Sequence, residues 1–212
     1  GCGRGQGRSR GGGGVTDWPR ASEWLAAGVG GPGALVVAGV PLTEHSVTRA
    51  GYEHAPAAVR ARLQKLSTWH GERQISLDDV PVRDLGDSLV PPPLSAPLTV
   101  LLGGHNGVTW HALGGGDLRR WRLLTLDAHH DVRGFHAGAT NGTPVRGLLE
   151  DGLPGTSVVQ LGLGVLTNSR HYRTFCKGNG ITVRTVDEVR GHTRQIVRGH
   201  LDELAQACPG GL

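Results

Sequence analysis

The chain has 212 residues, of which 37% are hydrophobic, and a formal net charge of +4. This length and apolar content predict one domain with a sizeable buried core. No apolar run approaches the roughly 18 residues that cross a membrane, and no charged segment followed by an apolar one opens the chain. We therefore expect neither a membrane protein nor an exported one.

The basic charge comes partly from a Gly-rich and Arg-rich tail at residues 1–14. Such a segment cannot bury enough apolar surface to offset its ordering entropy, so we predict that residues 1–14 are disordered and that residues 15–212 form the domain. The other arginines are dispersed and lack the aromatic-interleaved basic stripe of a nucleic-acid interface. The sequence thus argues against a nucleic-acid partner.

The cysteines Cys2, Cys176 and Cys208 are odd in number and far apart in the sequence. They fit neither a disulfide framework nor a C-x-x-C metal site. This usage indicates a reducing compartment, so we expect a cytoplasmic protein.

Short apolar runs alternate with turn and helical segments along the chain. Near-continuous apolar runs are typical of parallel strands that are buried on both faces. Strands alternating with helices predict an α/β fold with a doubly wound, mostly parallel sheet, whose functional groups lie beyond the carboxyl ends of the strands. In the first predicted helix, Val59, Leu63 and Leu66 fall at helical spacing. The predicted strands span residues 34–40, 98–102, 122–126, 157–163 and 181–183, and the predicted helices span 55–66, 145–150, 186–190 and 194–207.

The most informative segment is R-L-L-T-L-D-A-H-H-D-V-R, in which an apolar strand leads directly into Asp127, His129 and Asp131. If the extended conformation persists, these three alternating side chains point the same way. Two carboxylates and an imidazole on one face repel and desolvate one another unless a cation joins them, and a hard ion such as Mn²⁺ suits these ligands. The alternative is a polar loop after a strand, with His130 and Asp131 solvated.

Paired glycines end the predicted strand at 98–102 and are followed by His105 and Asn106. These side chains would lie beside Asp127 if the two strands are neighbours. The alternative is a glycine turn whose polar residues cap the next helix.

A polar turn, N-G-T-P at residues 141–144, precedes a predicted helix and follows a loop that contains His136. A backbone amide cluster at a helix N-terminus can hold a substrate carboxylate. The same four residues are also a good turn and helix start without any ligand.

Taken in order, these segments resemble the ureohydrolase superfamily of arginases, agmatinases and formimidoylglutamases. The resemblance covers roughly residues 34–190 and implies an arginase-like, three-layer fold. The matching motifs are G-G-x-[HN] at 103–106, D-A-H-x-D at 127–131 and [HN]-G-x-P at 141–144, with supporting matches at 38–41 (A-G-V-P), 49–63 (R-A-G-Y-E-H-A-P-A-A-V-R-A-R-L) and 84–87 (D-L-G-D).

The resemblance implies a binuclear Mn²⁺ site in which a hydroxide attacks a guanidinium or formimidoyl carbon. It implies that Asp127 bridges both ions, that His129 binds one and that Asp131 binds the other. It also implies a small-molecule amidine or guanidine substrate and assembly into a homo-oligomer.

Two positions depart from the pattern of arginases. His105 and Asn106 stand where the family usually has an Asp and then a ligand His. Either Asn106 coordinates weakly through its carbonyl oxygen, or His105 shifts into that role, or the site is altered. Asn141 stands where arginases and agmatinases carry a His thought to shuttle protons. Both substitutions favour a formimidoylglutamase of histidine degradation, which releases formamide and glutamate, with His136 and Asn141 as candidate catalytic residues.

The family's second carboxylate motif, D-x-D-x-x-D-P, has no counterpart after Val183, and the chain contains no methionine. We therefore expect a C-terminally incomplete domain with weak or single-metal binding and little activity. The alternatives are a guanidino hydrolase of the agmatinase or arginase type and a non-catalytic, oligomer-forming homologue. A further alternative is a single-metal hydrolase that uses His136 or His130 as acid or base.

Overall fold

A computed structural model describes residues 17–206, except positions 29, 32 and 49. Strands and helices alternate along this part of the chain, as the apolar pattern predicts. The strands are β1 (Leu35–Val40), β2 (Trp69–His70), β3 (Ile75–Ser76), β4 (Val82–Asp87), β5 (Thr99–Gly103), β6 (Leu123–Leu126), β7 (Val158–Leu163) and β8 (Thr182–Thr185). The helices are α1 (Ala21–Ala27), α2 (Ala55–Leu63), α3 (Val108–Leu113), α4 (Pro144–Glu150), α5 (Arg170–Gly178), α6 (Val186–Val189) and α7 (Thr193–Gln206).

Six of these strands form two three-stranded sheets, ordered β4-β1-β5 and β6-β7-β8. Every pairing within these two sheets is parallel, which confirms the predicted parallel arrangement. The short strands β2 and β3 form a separate antiparallel pair. Among the described residues β5 and β6 are not hydrogen-bonded to each other, so the single sheet that we predicted is present as two half-sheets.

Helices cover both faces of the sheet that contains β7. Val158 of β7 packs in one core cluster with Leu148 of α4 and Cys176 of α5. The next residue, Val159, packs on the opposite face with Leu204 of α7. Successive strand residues face opposite sides, so the near-continuous apolar run of β7 fills both cores.

The sheet that contains β1 is covered in the same way. Val37 packs with Leu25 of α1 and Leu63 of α2. Val40 packs in a different cluster, with Val108 of α3. The three-layer α/β architecture predicted from the sequence is therefore confirmed.

The D-L-G-D segment lies inside β4, a strand that the apolar pattern does not reveal. Arg60 of α2 donates from Nε and Nη2 to the Asp84 carboxylate, each at 2.8 Å, and from Nη1 to Asp87 at 2.5 Å. This pairing neutralises the carboxylates at the sheet edge. The carboxylates of this strand are thus paired with an arginine from a helix, and the sequence of the strand alone does not show that pairing.

Helix α2 ends at Leu63, three residues before the predicted end. Val59 is 42% exposed and Leu66 is 54% exposed, so the apolar face that we predicted for this helix is wrong except at Leu63. The helix instead buries Pro56 and holds Arg60 against β4.

Some of the sequence-based expectations concern residues that the structure does not describe. The segment 1–14, which we predicted to be disordered, and the cysteines Cys2 and Cys208 lie outside the described residues. Cys176 is buried, and it forms no disulfide with any residue that the structure describes. In the described part of the chain, no helix combines the length and apolar content needed to cross a membrane.

Candidate metal centre

The polar residues that follow β5 and β6 meet at the carboxyl ends of these strands. The side-chain amide of Asn106 donates a hydrogen bond to the carboxylate of Asp131. The two motifs are therefore neighbours in space, as predicted, although their strands share no hydrogen bonds among the described residues.

The backbone of the D-A-H-H-D segment does not remain extended. Strand β6 ends at Leu126, and Asp131 has a φ of +53°, in the left-handed region. The Asp127 carboxylate accepts a hydrogen bond from the His129 amide at 2.8 Å and lies 3.3 Å from the His129 imidazole. The extended conformation on which the shared direction of these side chains depended does not persist, because a turn stabilised by Asp127 begins where the strand ends.

A cavity of about 480 Å³ nevertheless collects most of the predicted site residues. His136 is not among the described residues that line it, and this side chain is exposed on the 3₁₀ turn Phe135–Ala137. Its catalytic role stays a prediction. The predicted residues that do line the cavity are His105, Asn106, Asp127, His129, Asp131 and Asn141.

Asp131 has the most perturbed carboxyl group in this cavity. Burial, reinforced by the negative charge of Asp127, raises the pKa of Asp131 to about 7. The charge of His129 and the hydrogen bond from Asn106 act in the opposite direction. Without a cation, the cavity therefore resists holding both carboxylates in their charged forms.

His105 uses both ring nitrogens on the backbone. Its Nε2 lies 2.9 Å from the Glu44 carbonyl oxygen, and its Nδ1 accepts from the Gly107 amide at 3.1 Å. The ring is buried and packs edge-on against Tyr52. Of the two candidate ligands after β5, Asn106 is thus the one that contacts a carboxylate of the D-A-H-H-D segment.

Comparison with known proteins shows the family to which the chain belongs. The model of the arginase family matches residues 34–209. The chain belongs to the arginase family. Formimidoylglutamase of Halalkalibacterium halodurans is 29% identical to this arginase-family chain over 174 residues, which are 71% of this chain and 54% of that protein. Formimidoylglutamase of Bacillus subtilis is 29% identical over 194 residues, 80% of this chain and 59% of that protein.

Solved structures of formimidoylglutamases are also similar to the chain. The crystal structure of the Bacillus subtilis formimidoylglutamase superposes with a TM-score of 0.76 at 25% identity, over 97% of this chain and 71% of that one. Trypanosoma cruzi formiminoglutamase, solved with Mn²⁺, superposes with a TM-score of 0.74 at 22% identity, over 88% of this chain and 71% of that one, and shows the shared fold. The chain spans just over half the length of the curated relatives it matches.

His130, the fourth residue of the D-A-H-H-D motif, points away from the cavity. Its side chain is 2% exposed, and its Nδ1 lies 2.6 Å from Oε1 of Gln160 in β7. Burial lowers the pKa of His130. A role for His130 as an acid or base at the cavity, one of our alternatives, does not fit this position.

Most amides of the turn before α4 are already hydrogen-bonded. The amides of Gly142 and Thr143 donate to Thr140, and those of Val145 and Arg146 donate to the Asp131 carbonyl. These four amides are therefore not free to bind a substrate carboxylate, one of the two interpretations of this turn. Oδ1 of Asn141 accepts a hydrogen bond from the Val47 amide at 2.9 Å. The NH₂ group of Asn141 has no hydrogen-bond partner among the described residues.

The side chains present fit a hard cation by their chemistry. Two carboxylates, an imidazole and a side-chain amide line one cavity, and the raised pKa of Asp131 shows a carboxyl group whose charge lacks compensation. Among residues 17–206, apart from the three positions left out, no three His, Cys, Asp or Glu side chains converge on one point. The potential metal-binding side chains thus line one cavity but are not close enough together to form a metal site.

Several cavity residues escaped the motif-based reasoning. Arg133, Tyr52, Asn168 and Tyr172 all line the cavity. Arg133 lies two positions after the D-A-H-H-D segment, so its place in the sequence could have identified it as a site residue. Nothing in the sequence points to Asn168, because it reaches this segment only through tertiary structure, where it accepts a hydrogen bond from the His130 amide at 3.0 Å.

Proposed function

We propose that this protein hydrolyses the C–N bond of a linear amidine, with N-formimidoylglutamate as substrate and Mn²⁺ as cofactor. The observation that carries the proposal is the gathering of Asp127, His129, Asp131 and Asn106 around one cavity at the strand ends. Formimidoylglutamases among the relatives support the choice of substrate.

The overall reaction adds water across one C–N bond. The water oxygen bonds to the formimidoyl carbon, the bond from that carbon to the glutamate nitrogen breaks, and that nitrogen takes a proton. The products are formamide and glutamate, with no oxidant or second substrate required. When bound, Mn²⁺ supplies a nucleophile at neutral pH by lowering the pKa of water, and it orients the substrate.

The protein's own residues have separate parts in this proposal. Asp127, His129 and Asp131 hold the cation, with Asn106 as an additional oxygen donor. Asn141 lines the cavity, and its side-chain oxygen accepts a hydrogen bond from the Val47 amide, which leaves its NH₂ group for the substrate. A neutral amide at this position orients the amidine without carrying protons. The catalytic role of His136, which is not among the described residues that line the cavity, rests on the sequence alone.

The proposal is tested by adding Mn²⁺ to the purified protein and measuring formamide release from N-formimidoylglutamate. Arginine and agmatine, with urea release as the measurement, test the alternative that the protein is a guanidino hydrolase. The control is Asp127→Ala, which removes one of the side chains that would hold the cation. Turnover no greater than that of Asp127→Ala on every substrate would contradict the proposal.

A second candidate is a non-catalytic, oligomer-forming homologue. The observation that favours it is the absence, among the described residues, of three convergent ligating side chains. Calorimetric titration with Mn²⁺ separates the two candidates, because a non-catalytic homologue would bind the ion weakly or not at all. Two tight Mn²⁺ sites would eliminate this second candidate.

Assembly and location belong to the same proposal. We expect a homo-oligomer in the cytoplasm that acts on a small molecule. Exposed apolar side chains such as Leu126, at 68%, and Leu166, at 96%, are consistent with a covered surface in the assembled protein. Light scattering coupled to size-exclusion chromatography measures the assembly, and a monomer at working concentration would contradict it.

A further inference from the structure

The proposed metal cavity contains one guanidinium group. Among the described residues that line it, Arg133 is the sole Arg or Lys. Its side chain makes no hydrogen bond or ion pair with any described residue, although Asp127 and Asp131 line the same cavity. An exposed arginine facing a ligand cavity without an acceptor of its own is available for an anionic group of the ligand.

The backbone holds Arg133 in place while leaving its side chain space. The Arg133 amide donates to the Gly142 carbonyl at 2.9 Å. A Cβ atom added at Gly142 would lie 3.1 Å from Nε of Arg133, which is tighter than ordinary contact. Gly142 thus keeps open the path of the guanidinium over the turn before α4.

The other described groups of the cavity do not replace this cation. Most of the turn amides are occupied, and Thr48 and Tyr52 hydrogen-bond to each other through their hydroxyls at 2.7 Å. The two aspartates repel an anionic ligand. An acidic ligand therefore needs a positive group at the cavity, and Arg133 provides it with a fork geometry suited to a carboxylate.

We propose that Arg133 is a specificity-determining residue that binds a carboxylate of the substrate and so selects acidic amidines over neutral or cationic ones. This inference rests on the proposed hydrolase function for its kinetic consequences. Its binding consequence stands apart from turnover, because glutamate, the acidic product, should bind at the same guanidinium.

The test compares wild type with Arg133→Met, Arg133→Lys and the matched control Arg194→Met, which alters an exposed arginine outside the cavity. The substrates are N-formimidoylglutamate and N-butylformamidine, which carries the same reacting group without a carboxylate. For N-formimidoylglutamate, Arg133→Met should lower kcat/KM roughly 100-fold, mainly through KM, the scale set by losing one partner of a charged pair. For N-butylformamidine, kcat/KM should stay within about twofold.

The lysine variant and the control sharpen the result. Arg133→Lys keeps the charge without the fork, so its loss should be intermediate, and Arg194→Met should match wild type. Equal losses on both substrates, or none on N-formimidoylglutamate, would overturn the proposal. Melting temperatures of the variants confirm that each one folds, and the lysine variant carries the test if Arg133→Met does not.

A binding measurement separates this inference from the hydrolase proposal. If wild type with Mn²⁺ turns over neither substrate, the proposed function fails, and calorimetric titration with glutamate decides the role of Arg133. At least tenfold weaker glutamate binding by Arg133→Met than by wild type supports the carboxylate site. Equal affinity, or no glutamate binding by wild type, overturns it.

Discussion

Nδ1 of His130 lies 2.6 Å from Oε1 of Gln160, and both side chains are buried. Gln160 also donates from Nε2 to the His130 carbonyl at 2.9 Å. One side chain of the central strand thus holds both the ring and the backbone of the residue between His129 and Asp131. The orientation of the proposed ligands depends on this contact.

Replacing Gln160 by Leu should destabilise the protein and weaken Mn²⁺ binding. The substitution leaves the ring and carbonyl of His130 buried without partners, at a cost of about 2–3 kcal/mol. Urea denaturation measures the free energy of unfolding, and calorimetry measures the Mn²⁺ affinity. The matched control is Gln206→Leu on the exposed end of α7. Unfolding free energies that agree within about 0.5 kcal/mol for Gln160→Leu and wild type would contradict the buttressing role.

Replacing Asp131 by Asn should stabilise the metal-free protein while removing its response to Mn²⁺. Burial and the charge of Asp127 raise the pKa of Asp131 to about 7, so the ionised carboxyl is unfavourable in the folded state. At pH 8 the neutral amide should gain about 1–3 kcal/mol. Thermal melts with EDTA and with Mn²⁺ measure both effects. Asp79→Asn, at an exposed position, is the control. A melting temperature of Asp131→Asn below that of wild type in EDTA would show that the ionised carboxylate does not destabilise the fold.

The ion pairs of Arg60 should stabilise the fold at neutral pH and lose that effect in acid. Arg60→Met should cost about 1–3 kcal/mol at pH 7, because Asp84 and Asp87 lose a forked, partly buried partner. The hydrogen bond from Arg60 lowers the pKa of Asp84 from 3.8, so this contribution is complete above pH 3.8 and disappears as pH falls through the lower folded value.

Urea denaturation at several pH values measures the effect of Arg60. The difference between wild type and Arg60→Met should shrink as the pH falls below 3.8. Arg62→Met, an exposed arginine on the same helix, should leave stability within about 0.5 kcal/mol at every pH. A constant difference between Arg60→Met and wild type down to strong acid would count against the ion pairs.

Two helical glycines should respond to alanine with opposite signs. At Gly147 an added Cβ would lie 2.5 Å from Cδ2 of Trp110, so Gly147→Ala should force apart α3 and α4 and cost about 1–3 kcal/mol. At Gly199 in α7 nothing lies within 4 Å of the added atom, so Gly199→Ala should stabilise by up to about 1 kcal/mol. Unfolding free energies of the two variants test this. A stabilised Gly147→Ala would contradict the close contact.

Local sequence determined five of the strands and the chemistry that follows them. A run such as 157–163 is expected to be buried on both faces because its apolar residues fall at both odd and even positions, and the structure places it at the centre of a sheet with helices on either side. The same reasoning located the donors of the D-A-H-H-D segment, since open α/β sheets carry their functional groups where strands end.

Tertiary structure alone decided what holds the residues between the proposed ligands. His130 lies in the core, where Gln160 of another strand contacts its ring. Strand β4 and the surroundings of the Arg133 guanidinium belong to the same category. Periodicity reports burial along one segment, whereas pairing of Arg60 with Asp84, or the lack of an acceptor for Arg133 among the described residues, depends on groups brought together from distant parts of the chain.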